Sequence, residues 1–129
     1  MRIIADTNIF LAAALDEPEK AWIIRLTAGH ELTAPDVLPY EIGNALTALF
    51  KRKVLNADEV SLAWEAVQSI PVQLCSIEIG SAIRIATDAG IYAYDAYFLE
   101  CALRMRSPLL TLDRRMKTVA KEIGIQIIE

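Results

Sequence analysis

The chain has 129 residues, of which 54% are apolar, and it carries a formal net charge of −4. Its length is typical of one domain, so we expect a single domain over residues 1–129. The acidic balance argues against a protein that coats nucleic acid through overall positive charge, but it permits an enzyme with a local basic rim.

In chain order, the first half alternates short apolar runs with helical patterns. It predicts a strand at 2–5, a helix at 8–15, a helix that follows the break at 16–20 and ends at Gly29, a strand at 31–34, and a helix at about 37–52. Pro35 closes the second strand, and we expect Asp36 to cap the helix that follows it.

The second half continues the same alternation. It predicts a helix from Asn56 or Asp58 to about 69, a strand at 72–75, a helix capped by Ser76 and ended by Gly90, a helix at 94–106, a strand at 108–112, a helix from Asp113 to Gly124, and a strand at 125–128. The strands are apolar throughout, which suits burial on both faces. This order predicts an α/β fold, a three-layer α/β/α sandwich around a mostly parallel sheet.

Composition also bears on assembly and location. The apolar fraction exceeds the usual 45–50% or so, and a small monomer has little interior, so we expect a homo-oligomer or a tight partner. No apolar run approaches the roughly 18 residues of a membrane span, and the first residues lack a signal-peptide layout, so we expect a cytoplasmic protein. Cys75 and Cys101 are expected to be small buried side chains, and the single histidine, His30, argues against a zinc site.

Four of the seventeen acidic residues occupy unusual places. Asp6 and Asp113 directly follow apolar strands, whereas Glu41 and Asp95 lie in the apolar stripes of helices, near their starts. Each has an ordinary alternative, namely a helix cap, a first-turn acid or a buried ion pair. Because the carboxyl ends of parallel strands and the helix starts that follow them share one edge of a sheet, we expect all four to converge there.

Four carboxylates at one place cannot all stay ionised without a cation, and the hard ions Mg²⁺ and Mn²⁺ suit such oxygen ligands. This chemistry predicts metal-assisted hydrolysis of a phosphodiester. Three basic clusters, at 51–53, 104–106 and 114–117, would then hold substrate phosphates or, alternatively, only solvate helix ends. In this interpretation helix capping falls to Thr7 or Asn8 rather than to Asp6.

Four segments resemble the motifs of the PIN-domain family, in particular its short VapC-type toxins: ADTNIF with Asp6, PYEIGNAL with Glu41, YAYDAYFLECA with Asp95 and LLTLDRRM with Asp113. The resemblance covers nearly the whole chain. It implies a metal-dependent endoribonuclease on an α/β/α sandwich with about five parallel strands. It also implies that the four acids are the catalytic quartet that binds Mg²⁺ or Mn²⁺, with Asp6 and Asp95 as the usual direct ligands.

The same resemblance implies supporting polar roles for Thr7 or Asn8 and for Thr111, a homodimer, an RNA substrate and inhibition by a cognate antitoxin. Two alternatives stay open: another phosphatase, phosphodiesterase or nuclease that uses the same metal centre, and a non-catalytic PIN-like interaction module. A receiver-type α/β domain fits less well, because it would place its acids differently. The sequence has no phosphate-binding glycine loop and no Ser–His arrangement, which argues against nucleotide-binding proteins and serine hydrolases.

Overall fold

In a computed structural model, which describes all 129 residues, one parallel sheet of four strands is flanked by seven helices. The strands are β1 (Arg2–Ala5), β2 (Glu31–Pro35), β3 (Gln73–Cys75) and β4 (Leu109–Leu110). The helices are α1 (Thr7–Ala14), α2 (Lys20–Thr27), α3 (Leu38–Lys51), α4 (Ala57–Gln68), α5 (Ile79–Ala89), α6 (Ala93–Arg104) and α7 (Arg114–Glu122). None of the helices is both long enough and apolar enough to cross a membrane.

The strand order is β3-β2-β1-β4, and every pairing is parallel. Within it, Ile3 lies opposite Leu32 and Ile4 opposite Leu109. Consecutive residues of a strand point to opposite faces, and Ile3 and Ile4 are both fully buried, so helices cover both faces of the sheet. The predicted α/β/α sandwich is confirmed.

The fifth predicted strand, at 125–128, joins the sheet only through a parallel bridge. Ile127 is paired with Leu109, whose N–H donates to the Gln126 carbonyl at 2.9 Å, while the Ile128 N–H donates to the Leu109 carbonyl at 3.0 Å. This segment therefore protects the β4 edge without forming a full strand. The sheet has four strands where about five were expected.

Local sequence determines two helix boundaries as predicted. At the start of α4, the Asn56 side chain accepts from the Glu59 N–H at 2.8 Å, and the Glu59 carboxylate accepts from the Asn56 N–H at 2.9 Å. This reciprocal pair is a capping box. At the end of α5, Gly90 adopts a left-handed conformation with a φ of 68°. Glycine adopts this conformation at little energetic cost because it has no Cβ.

Two predicted caps are wrong. The Asp36 side chain does not cap α3, which begins two residues later at Leu38. The Asp36 N–H instead donates to the Cys75 carbonyl at 2.8 Å, so the chain still follows the sheet at that point. Ser76 does not cap α5 either, because that helix begins at Ile79. In both places the residue predicted as a cap is bonded to a distant part of the chain, since the Ser76 carbonyl accepts from Arg104.

Replacing Asn56 by Ala is expected to destabilise the protein by about 1 kcal/mol, because the change removes the acceptor for one otherwise unpaired N–H group of α4. The measurement is the free energy of unfolding in urea. Gln68→Ala, at the exposed end of the same helix, is the matched control and should change stability little. Equal effects of the two changes would contradict the capping assignment.

Candidate metal centre

A cavity of about 470 Å³ lies at the carboxyl edge of the sheet, and all four predicted carboxylates line it. Asp6 follows β1, Glu41 lies in the first turn of α3, Asp95 lies in the first turn of α6, and Asp113 precedes α7. Residues that are up to about a hundred positions apart in the chain are therefore brought to one cavity, as the topology of a parallel sheet predicts.

Asp6 is almost fully buried, with 4% of its surface exposed, and both of its carboxylate oxygens have partners. Oδ1 accepts from the Ile9 N–H at 3.3 Å, which makes Asp6 the N-cap of α1, and Oδ2 accepts from the Thr111 hydroxyl. The expectation that Thr7 or Asn8 takes over the capping role is wrong. Capping and lining the cavity are combined in one residue, and the cap holds the carboxylate in place.

Thr111 links two of the acids. It is fully buried, and its hydroxyl donates to Asp6 while accepting from the Asp113 N–H at 3.0 Å. The Asp113 carboxylate in turn accepts from the Arg115 and Met116 N–H groups at 2.8 and 3.1 Å, and so caps α7. At the position predicted to support the site, Thr111, the residue after β4, makes a direct hydrogen bond to Asp6.

Glu41 presents an oxygen that no protein group satisfies. Its Oε2 is buried and has no hydrogen-bond partner, and the same holds for the Thr7 hydroxyl oxygen. Thr7 lies close enough to lower the pKa of Glu41, but the two side chains do not form a hydrogen bond of good geometry. Buried polar atoms without partners are uncommon, and two of them beside an acidic cavity indicate that a ligand belongs there.

Burial and mutual repulsion raise the pKa values of three of the acids. The pKa of Asp6 rises to about 6 and that of Glu41 to about 7, in both cases chiefly because burial disfavours the ionised form. Burial also raises the pKa of Asp95. The neighbouring acids raise these pKa values further. The charge of Asp95 raises the pKa of Asp6 and of Glu41, and the charge of Asp113 raises the pKa of Asp6 and of Asp95.

Arg115 provides positive charge near this group. It counteracts the rise in the pKa of Asp95, and its Nη2 donates to the Gly90 carbonyl at 2.9 Å. Arg115 belongs to the basic cluster predicted at 114–117, whereas Asn44, which lines the cavity three residues after Glu41, was not predicted to contribute to the site. The spacing of Asn44 could have indicated its position, because residues three apart share a helix face.

The residues present suit a hard divalent cation. The charged groups that line the cavity are all carboxylates, and hydroxyl and amide oxygens lie beside them. No three His, Cys, Asp or Glu side chains are close enough together to form a ready-made ligand cluster. Mg²⁺ characteristically retains several water ligands and needs only one or two direct carboxylates, so this arrangement fits Mg²⁺ or Mn²⁺ and is unlike a closed zinc site.

Thr111→Val is expected to lower the stability of the protein by about 1–3 kcal/mol, because the Asp113 N–H loses its acceptor and Asp6 loses a donor. Thr33→Val is the matched control: Thr33 is also a fully buried threonine of the sheet, but its hydroxyl has no partner. That change should be neutral or stabilising. The free energies of unfolding of the two variants test this contrast, and a loss of similar size in both would contradict it.

Known proteins are similar to this chain over most of its length. The family model described as PIN domain matches residues 3–122. Ribonuclease VapC3 of Pyrobaculum aerophilum is 27% identical over 121 residues, which cover 90% of this chain and 92% of that protein.

Solved structures show the same fold. PAE2754 from Pyrobaculum aerophilum superposes with a TM-score of 0.74 at 21% identity, covering 99% of this chain and 84% of that one. VapBC2 from Rickettsia felis, bound to a DNA fragment from its promoter, superposes with a TM-score of 0.70 at 15% identity, covering 100% of this chain and 98% of that one. FitAcB from Neisseria gonorrhoeae superposes with a TM-score of 0.62 at 17% identity, covering 98% of this chain and 96% of that one.

Proposed function

The chain belongs to the PIN-domain family, and we propose that it is a Mg²⁺- or Mn²⁺-dependent endoribonuclease that hydrolyses RNA phosphodiester bonds as the toxin of a toxin–antitoxin pair. The observation that carries the proposal is the cavity in which Asp6, Glu41, Asp95 and Asp113 meet. Similarity to a ribonuclease of the VapC type supports the same activity.

In this proposal Asp6 and Asp95 hold the ion, and Glu41 and Asp113 complete its surroundings directly or through water. The bound ion supplies positive charge that stabilises the phosphoryl group and increases the acidity of water. Glu41, whose Oε2 has no protein partner, orients the attacking water and accepts its proton. Thr111 keeps Asp6 and Asp113 in position.

Residues around the mouth of the cavity are suited to RNA. Tyr40 and Tyr94 line the cavity and are 78% and 59% exposed, so both could stack against unpaired bases. Tyr94 also makes an edge-to-face contact with Tyr97, with ring centroids 6.0 Å apart. Arg114 and Arg115, exposed in the first turn of α7, would bind phosphates beside the acids. This is the role predicted for the basic cluster at 114–117.

The proposed partner is a cognate antitoxin, in the cytoplasm. A second groove of about 610 Å³ shares Asn8, Ala45 and Asp113 with the carboxylate cavity, and more than half of its lining residues are hydrophobic. An amphipathic segment of the antitoxin would fill this groove and direct a basic residue at the acids. The fold similarity to VapBC2 and FitAcB supports such a complex.

We also propose a homodimer. Ile79 and Ile83, one turn apart on α5, are 54% and 50% exposed, which leaves an apolar stripe available to a second copy. Light scattering coupled to size exclusion tests this proposal. The expected molar mass is twice the 14.3 kDa of the chain, and a monomer at all concentrations would contradict it.

RNA cleavage with and without added metal tests the enzymatic proposal. We expect structured RNAs to be cut with Mg²⁺ or Mn²⁺, EDTA to stop the reaction, and metal to restore it. Metal-dependent cleavage of DNA or of simple phosphate esters, without cleavage of RNA, would favour another phosphodiesterase or phosphatase. A chain that binds RNA or antitoxin but cuts nothing would favour the interaction module.

A further inference from the structure

Two cysteines that take no part in the proposed reaction lie in contact. Cys75 is the last residue of β3 and is half-buried, whereas Cys101 is fully buried in the last turn of α6. Their Sγ atoms are 3.0 Å apart, although the residues are 26 positions apart in the chain. Neither lines the carboxylate cavity or the adjoining groove.

We propose that Cys75 and Cys101 form a reversible thiol–disulfide pair, which a low-molecular-weight disulfide of the glutathione type oxidises and which then fastens the end of β3 to α6. The two sulfurs need to approach each other by only about 1 Å to reach the S–S bond length of about 2.0 Å. This site is independent of the proposed ribonuclease activity.

The surroundings assign different roles to the two sulfurs. The Arg104 side chain lies against Cys75, whose thiol is among the groups that raise the pKa of Arg104, after Glu100. Glu100 holds this guanidinium in place, with Arg104 Nε 2.6 Å from Glu100 Oε1. Cys75 is the only partly exposed thiol of the two, so an external disulfide can reach it, and Cys75 is therefore the residue that attacks.

Cys101 is the resolving residue. Its thiol is buried, so external disulfides do not reach it, and burial and the contact with Cys75 raise its pKa. The Cys75 thiolate attacks one sulfur of the small disulfide, forms a mixed disulfide and releases one small thiolate. Cys101 Sγ then attacks Cys75 Sγ and releases the second, and the two protein protons end on the two released thiols.

The bond would enclose the whole of α5 in a covalent loop. It would fasten β3, which pairs with β2, to α6, the helix that carries Asp95. Closing a loop of this size restrains the unfolded chain. We expect the midpoint temperature of unfolding to be higher in the oxidised protein than in the reduced protein, by on the order of 10 °C.

The test equilibrates the native full-length chain with glutathione disulfide, alkylates the remaining thiols and maps its peptides without reduction. We expect an intramolecular Cys75–Cys101 link, the loss of both free thiols, and recovery of both after dithiothreitol. Retention of both thiols, a glutathione adduct with no internal link, or a link only between two chains would overturn the proposal.

Single variants test the order of attack. Cys101→Ser should accumulate one stable glutathione adduct on Cys75, whereas Cys75→Ser should accumulate none, because Cys101 is buried. Cys75→Ser should also lose the dependence of the unfolding temperature on the redox buffer. An adduct on Cys101 in native Cys75→Ser, or an unchanged redox dependence, would overturn the assignment, and the wild-type peptide map decides the pairing if either variant folds poorly.

Discussion

Replacing Asp6 by Asn is expected to abolish metal-dependent RNA cleavage while making the metal-free protein more stable at neutral pH. Activity should fall by about 100-fold or more, because removing a single charged or polar contact from an active site often has an effect of this size. Stability should rise, because the folded protein buries the Asp6 carboxylate and raises its pKa from 3.8 to about 6. At about pH 7 this rise in pKa destabilises the folded protein by up to about 3 kcal/mol, and an Asn at this position avoids that cost because it has no charge.

Asn keeps the shape of Asp and an oxygen that can accept from the Ile9 N–H, so the cap of α1 survives. Its amide nitrogen cannot accept from the Thr111 hydroxyl as Oδ2 does, and this loss reduces the net gain in stability. Asp36→Asn is the matched control. Asp36 follows β2 as Asp6 follows β1, but it is exposed and does not line the cavity. RNA cleavage and urea unfolding in EDTA are measured on both variants. The prediction fails if Asp6→Asn cleaves RNA normally, or if it is no more stable than the wild type.

This pair of opposite effects distinguishes a binding site from a structural one. If Asp6 served only as a cap, removing its charge would alter stability slightly and leave catalysis intact. A buried carboxylate that lowers the stability of the folded protein is instead typical of a functional site, where residues needed for function reduce stability. Asp113 combines the same two features, since it caps α7 and lines the cavity.

The alternatives of cap and ligand, which the sequence left open for these aspartates, therefore do not exclude each other. A carboxylate oxygen has more than one lone pair, so an oxygen that accepts from a backbone N–H can also bind a cation. The N-termini of α1 and α7 also bring partial positive charge to the cavity. The helix starts thereby lessen the repulsion among the acids and fix the direction of two of them.

The sequence predicts those parts of the fold that depend on neighbouring residues. The strand at 2–5 and the helix start at Asn56 are correct because an apolar run and a capping residue type are visible in the sequence. The strand predicted at 108–112 shortens to Leu109–Leu110, because its partners, β1 and the segment around Ile127, limit its pairing. Parallel pairing depends on distant segments that no local pattern specifies.

The same distinction applies to the candidate site. The rule that strand ends share an edge was sufficient to predict that Asp6, Glu41, Asp95 and Asp113 meet. It could not predict that Thr111 bonds to Asp6 across 105 positions, or that Arg115 lies near enough to Asp95 to counteract the rise in its pKa. These contacts depend on side-chain packing at the edge of the sheet. Their consequences for metal binding and catalysis stay predictions until the variants are measured.

The stability of the metal-free protein is expected to fall as the pH rises from about 4 to about 7, and divalent metal should reverse this trend. A carboxyl whose pKa is raised by folding keeps its proton in the folded state after the unfolded chain has lost it, so stability decreases with pH between the two values. For Asp6 this range runs from 3.8 to about 6, and for Glu41 from 4.5 to about 7. The contribution of Glu41 is the smaller, because solvent reaches this residue and screens its charge.

Metal binding requires the deprotonated carboxylates, so Mg²⁺ should raise the unfolding temperature more at about pH 7.5 than at about pH 5. Thermal unfolding in EDTA and in excess Mg²⁺ at both pH values measures this difference. Asp6→Asn should lose most of the pH dependence and most of the response to metal, whereas Asp36→Asn should keep both. An equal response to Mg²⁺ at the two pH values would mean that the metal binds elsewhere, because only ligands that titrate in this range link metal binding to the charge of the cavity.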